Sequence, residues 1–310
     1  LAAGTSFAQE ASCTDCHNDT TIITGKQLAW EGSTHGNGTA AAYAGGRGSC
    51  TACHSGASFS GAIAAGLPVQ DFGDVVDVTR QDCRACHQIH TSYTGADWAL
   101  EATDPVMLYA FDASTDALFN GGKGNLCANC HQPRRAIAAA DPNDNIYVSS
   151  SHWGPHHGPQ SAMLLGIGGA GDVEGEASLH ASLVEDTCVT CHVGEGMSHS
   201  FAAVDASCVA CHGEDDLGAA QDAVDVKIAE LGDLLLAAGL LSADKEWEIG
   251  EDGVNVEVVH GYHPVRGWYP AAQAQALWNY ILIEVEDGSH GTHNMAYTVA
   301  LLDASIAAMQ

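Results

Sequence analysis

Cys83-Arg84-Ala85-Cys86-His87-Gln88-Ile89-His90 is the most informative stretch of this 310-residue chain. Its first five residues form a Cys-x-x-Cys-His pentamer, and five more copies run along the sequence. They are Cys13-Cys16-His17, Cys50-Cys53-His54, Cys127-Cys130-His131, Cys188-Cys191-His192 and Cys208-Cys211-His212, and together the six use all 12 cysteines. Composition alone predicts about 0.03 such pentamers in a chain of this length. The pattern is the attachment signal for c-type haem. Two thiols add across the vinyl groups of one porphyrin, and the adjacent histidine lies under the iron as its proximal ligand. Zinc in a four-thiolate site would explain the cysteine pairs but not a histidine after every second cysteine. Disulfides predict irregular spacings, and a thioredoxin-like redox pair occurs singly. The expected cofactors are therefore six covalent haem c groups.

Aromatic residues make up only 6% of the chain, while Gly alone contributes 35 residues. The macrocycles are thus expected to form much of the core, with small residues letting backbone approach them. The expected fold class is mainly loop, with short α-helices around a six-haem core, longer α-helices in the C-terminal third and little β. Residues 1–216 read as a multihaem domain. Residues 217–310 read as a helical region that packs on the haem core and supplies a distal ligand.

First cysteines of the first four motifs are 33 to 44 residues apart, so no fixed repeat period exists. The intervening segments are rich in Gly, Ser, Thr and Asp, which reads as loop. Segment 139–186, with a glycine-rich stretch from Gly166 to Gly175, separates motifs four and five. Beyond motif six, Val224, Ile228, Leu231 and Leu235 recur at helical spacing and predict an amphipathic helix over 219–240. Residues 246–259 read as a hairpin turning at Glu251-Asp252-Gly253. Pro270 is placed to start a helix reaching about residue 286, with Trp278, Ile281, Leu282 and Val285 on one face. A last helix near 293–308 carries Val299, Leu302 and Ile306.

The formal net charge is −29, from 39 acidic and 10 basic residues. Haem propionates would deepen it. This excludes nucleic acid and anionic membranes as partners. It favours basic redox partner proteins, cationic solutes or divalent ions such as Ca²⁺ held by carboxylates. No run of 18 apolar residues exists, so no transmembrane segment is expected. Covalent haem attachment needs an exported, unfolded chain with reduced thiols, which places the protein extracellularly, at the cell surface or in the periplasm. Residues 1–8 read as the end of a signal peptide or as a mature arm, with small-x-small at Ser6-Phe7-Ala8.

Whether six such irons make a conduit or a catalyst depends on their sixth ligand. Iron held by two histidines has no open position and passes electrons; iron with one vacant face can bind a small molecule. Of 17 histidines, 11 are left after the proximal six. The expected distal ligands are His35, His90, His152, His180, His199 and His293, with His157 in reserve beside His156. His260, His263 and His290 read as spare. Placed with His87 on one helical turn, His90 would project from the same side and reach a neighbouring haem.

From about residue 120 to 310 the chain resembles the multihaem family of pentahaem nitrite reductase and hydroxylamine oxidoreductase. The likeness rests on His180 before Cys188-Val189-Thr190-Cys191-His192, then His199, then Cys208-Val209-Ala210-Cys211-His212, and on His293 before the terminal helix. It implies that His180, His199 and His293 are distal ligands. The nitrite reductases usually carry a proximal lysine at the catalytic haem, whereas all six motifs here end in histidine, and Lys26, Lys123, Lys227 and Lys245 lie away from any cysteine pair. Overall, the haem density and the Cys83–His90 stretch resemble extracellular cytochromes that polymerise into filaments. That resemblance implies end-to-end self-association and delivery to extracellular electron acceptors. The sequence therefore favours an electron carrier. A reductase of nitrogen or sulfur oxyanions and a monomeric shuttle stand as alternatives.

Overall fold

A computed structural model describes residue 17 and residues 21–111, 115–203, 205–209, 211–213, 217–249 and 255–310. Cys13 and Cys16 lie outside the described residues, as do the side chains of Lys245 and His260. Short helices joined by loops dominate, and the longer helices stand in the C-terminal third, as expected. Two compact units interleave along the sequence. The first comprises Leu1–Asp104, Gly122–Asn129 and Cys188–Ser207; the second comprises Pro105–Gly121, Cys130–Thr187 and Cys208–Gln310. One of the sequence boundaries between them falls inside motif four.

In the first unit, single helical turns carry the motifs. Thr51–His54, Cys83–Cys86 and Cys188–His192 are each four or five residues long. Helices this short are marginal alone, and side chains fix them. The Asp82 carboxylate accepts from Arg84 N at 3.0 Å and so caps the Cys83 turn. Thr51, fully buried, places its Oγ1 2.6 Å from Gly45 O and 2.7 Å from Ser58 Oγ. Long-range polar contacts tie loops together: Trp30 Nε1 donates to Gln81 O at 2.7 Å, and the Arg80 guanidinium to Gly36 O at 2.6 Å.

The second unit has an apolar core built on three helices, Leu217–Ala237, Ala271–Tyr280 and Met295–Met309. Val224, Ile228, Leu231 and Leu235 face inward from the first of these, as their spacing requires. Leu277, Leu282, Leu301 and Leu302 are completely buried against them. A two-stranded antiparallel pair, Asn145–Val148 with Gly267–Pro270, covers the start of the second helix, and the Tyr147 and Trp268 rings meet across it at 5.1 Å. The hairpin pairs Leu241–Ile249 with Asn255–Pro264, longer than the alternation indicated, with a register shift between Asp244 and Lys245.

One departure from the sequence reading has a clear cause. The helix from Ala271 does not stay α-helical to 286 but widens into a π-helix over Ile281–Asp287. The wider turn rotates Val285, expected on the apolar face, out to 49% exposure, while Ile281 and Leu282 stay buried. Gly288, at φ +60°, ends it.

The glycine-rich stretch packs tightly on this core. Gly166 closes the Gln160–Leu165 helix at φ +72°, and a Cβ there would fall 2.3 Å from Glu176 O. Buried Asn279 anchors the same stretch. Its Oδ1 accepts from Ala170 N at 2.7 Å, and its Nδ2 donates to Ala170 O at 3.1 Å and to Ser305 Oγ at 3.0 Å. Replacing Asn279 by alanine leaves backbone polar groups unpaired in the interior. The expected cost is about 1–3 kcal/mol per orphaned group, read as a lower guanidinium midpoint with unchanged slope.

Candidate haem-ligand site

Three motif histidines share one feature of geometry. Each described ring with a resolved Nδ1 partner gives that nitrogen to an oxygen, which leaves Nε2 for a metal. His87 Nδ1 donates to Trp98 O at 2.8 Å, His192 to Phe201 O at 2.9 Å and His131 to Gln160 Oε1 at 3.1 Å. Among the other histidines, His180 donates to Thr292 O and His199 to Met197 O, both at 2.9 Å. A ring so held has its tautomer and its orientation fixed.

Three imidazole pairs face each other at closely similar separations. The centroids of His17 and His90 are 6.0 Å apart, those of His87 and His199 6.3 Å, and those of His180 and His212 6.0 Å. Two imidazoles bound at about 2 Å on opposite faces of one metal place their centroids about 6 Å apart. Each pair joins a motif histidine to one drawn from elsewhere in the sequence. Burial lowers the His199 pKa, helped by the positive charges of Lys26 and His87, and so favours the neutral ring that metal binding needs.

His90 reaches His17 by a different route from the expected helical turn. The Cys83–Cys86 turn stops at His87, which is extended and bridges to Leu100. The chain then turns back, and His90 sits at φ +68°, a strained conformation for a histidine. Asp97 holds it there. Its carboxylate accepts from the backbone N of His90 at 2.9 Å, Ser92 at 2.7 Å and Tyr93 at 3.0 Å. Hydrogen bonds, from Ser92 first, hold the Asp97 carboxyl below its usual pKa. Sequence reading missed Asp97; its only signal is a Thr94-Gly95-Ala96-Asp97 run just after the histidine.

The remaining expected ligands stand as follows. His35 lies on the Thr34–Asn37 turn, capped by Ser33 Oγ, with its ring edge-on to Phe201 at 4.7 Å. Gly36 beside it is required, since a Cβ would meet Trp30 O at 2.0 Å. His152 faces not a motif histidine but His263, at 5.7 Å. His156 and His157 lie side by side at 4.9 Å. His157 Nδ1 bonds Glu286 Oε2 and His293 Nδ1 bonds Asp287 Oδ1, each at 2.7 Å. The Glu286 hydrogen bond raises the His157 pKa. His290 bonds Asp225.

No disulfide joins the described cysteines. Burial pushes the Cys86 thiol up to about 11, with Cys83, Asp82 and Glu101 adding to it. Cys127, the first cysteine of motif four, hydrogen-bonds Cys188, the first of motif five. That bond, then burial, raises its pKa, and Cys86 of motif three adds a smaller effect. Attachment points of three motifs are therefore neighbours in the first unit. Among the described residues, no three or more His, Cys, Asp or Glu side chains are grouped to hold a metal ion, Ca²⁺ included, and no helix is long and apolar enough to cross a membrane.

Residues 3–88 match the family model for cytochrome c7 and related cytochrome c. The matched span contains motifs one to three. This supports a multihaem c-type cytochrome. The family carries covalently attached haem c and transfers electrons. No curated protein and no solved structure shows significant similarity to the chain.

Proposed function

We propose that this cytochrome is an exported hexahaem electron carrier whose irons are held from both faces by histidine. The observation that carries the reading is the recurrence of imidazole pairs at 6.0–6.3 Å, each containing one motif histidine. In this assignment His90 is the partner of His17, His199 of His87 and His180 of His212. His54, His131 and His192 are the other proximal ligands. His35, His152 and His293 supply distal nitrogens, with His157 in reserve. The haems, when bound, supply one-electron transfer. The chain's own residues fix ring orientation through Nδ1, close both faces of each iron, and bring attachment points into contact at Cys86, Cys127 and Cys188.

Covalent attachment calls for an exported, unfolded chain with its thiols reduced. End-to-end self-association and transfer to partner proteins or extracellular acceptors complete the proposal, supported by the motif density and the Cys83–His90 stretch.

EPR and optical spectra of the native protein test the core of this reading. All iron is expected low-spin. A high-spin fraction that binds nitrite or CO would instead favour the oxyanion reductase. Electron microscopy and size-exclusion chromatography at high concentration test assembly: filaments or concentration-dependent oligomers are expected, and a persistent monomer would favour the shuttle.

A further inference from the structure

The π-helix of the second unit ends on two consecutive carboxylates, and each grips a different histidine. Glu286 Oε2 accepts from His157 Nδ1, with the carboxylate side chain 7% exposed and the histidine 70%. Asp287 Oδ1 accepts from His293 Nδ1, with side chains 1% and 18% exposed. The second Asp287 oxygen accepts from Ser289 Oγ. Gln160 ties a third histidine to the same turn: its Oε1 accepts from His131 Nδ1, and its Nε2 donates to the Glu286 carbonyl at 3.0 Å. Consecutive residues on a regular α-helix point about 100° apart. Here the widened turn and the Gly288 stop let both acidic side chains meet imidazoles from separate segments.

Burying a carboxylate is costly unless a charged or strongly polar partner repays it. A neutral amide, such as Gln160 supplies to His131, would orient an imidazole equally well. A carboxylate adds something an amide or carbonyl does not. It draws on the Nδ1 proton, makes Nε2 a stronger donor to a metal, and places negative charge near it. Both effects favour ferric over ferrous iron.

We propose that Glu286 and Asp287 are redox-tuning residues: acting through His157 and His293, they hold the irons those histidines bind at lower potential than irons whose histidines donate to carbonyl oxygens. His87, His180, His192 and His199 belong to the carbonyl group. The proposal rests on the ligand reading above, with the reserve His157 taking the place of His152, whose ring lies against His263 and not a motif histidine, and adds an ordering of potentials that follows the Nδ1 partner.

The test uses the full-length, haem-loaded protein. Asp287→Asn and Glu286→Gln each keep an oxygen that accepts the Nδ1 proton but remove the charge. Spectroelectrochemical titration is expected to show a low-potential component moving upward in each variant. A tenfold loss of ferric preference, matching the lower end of the effect of outer-sphere partners on metal affinity, corresponds to about 59 mV for a one-electron couple. All iron stays low-spin, and Asp287→Glu restores the lower potential. If one variant fails to mature, the other decides. Titration curves that superimpose on the wild type, with spectra unchanged, would reduce the carboxylates to structural anchors. His157→Ala and His293→Ala probe the underlying ligation separately. If neither creates high-spin iron, the assignment of these two as ligands falls, and the tuning role with it.

Discussion

Replacing His199 by alanine is expected to turn one low-spin iron high-spin without releasing any covalently bound haem. Its ring faces His87 at 6.3 Å and is nearly parallel to it, with 26° between the planes. Both rings hydrogen-bond through Nδ1 to backbone carbonyls, which leaves each Nε2 unprotonated and available to a metal. Removing one leaves that iron five-coordinate, because attachment depends on Cys83 and Cys86 rather than on the distal ring. High-spin EPR intensity from one iron in six, together with new CO binding, would mark the change. An unaltered spectrum would show that the pairing of His87 with His199 is wrong. The control is His290→Ala, which removes an imidazole bonded to Asp225 and is expected to leave every iron low-spin.

Substituting both Cys188 and Cys191 by alanine is expected to lower the number of bound haems from six to five. Mass analysis of the intact protein reads this directly. The effect should extend beyond the lost group, because Cys188 lies beside Cys127 and Cys86 is close by. Within the first unit, the Cys188–His192 turn has no buried residues of its own to hold it once the macrocycle is gone. Lower thermal stability and broadened spectra of the remaining haems are therefore expected alongside the mass change. A wild-type mass showing no added tetrapyrroles would remove the basis of both predictions.

Much of the C-terminal architecture was legible because it follows a period. Val224, Ile228, Leu231 and Leu235 are spaced for one helical face, and burial follows that face. The Gly-rich segment announced a loop, but not its purpose, which is close approach to the terminal helix: a Cβ on Gly169 would meet Leu301 Cδ2 at 2.4 Å. Val285 went astray because a π-helix shifts register without any residue that forces it locally. His90 followed a different course from the expected helix because a carboxylate seven residues away, Asp97, holds the turn. Glu286 and Asp287 were invisible as functional candidates, since two acidic residues before a glycine read as an ordinary solvated helix end.

The sequence by itself determined the cofactor chemistry, because thioether attachment and proximal ligation need only five adjacent residues on one turn of chain. It also determined the electrostatic character, since net charge is a sum over residues wherever they fold. Only the tertiary structure decided which imidazole faces which, for His17 and His90 are separated by a long run of short helices and loops and meet through contacts that no local periodicity encodes. It likewise decided which histidines lean on carboxylates and which on carbonyls. Hydrogen-bond partners are chosen by where buried polar groups must be satisfied, and that depends on the whole packed chain.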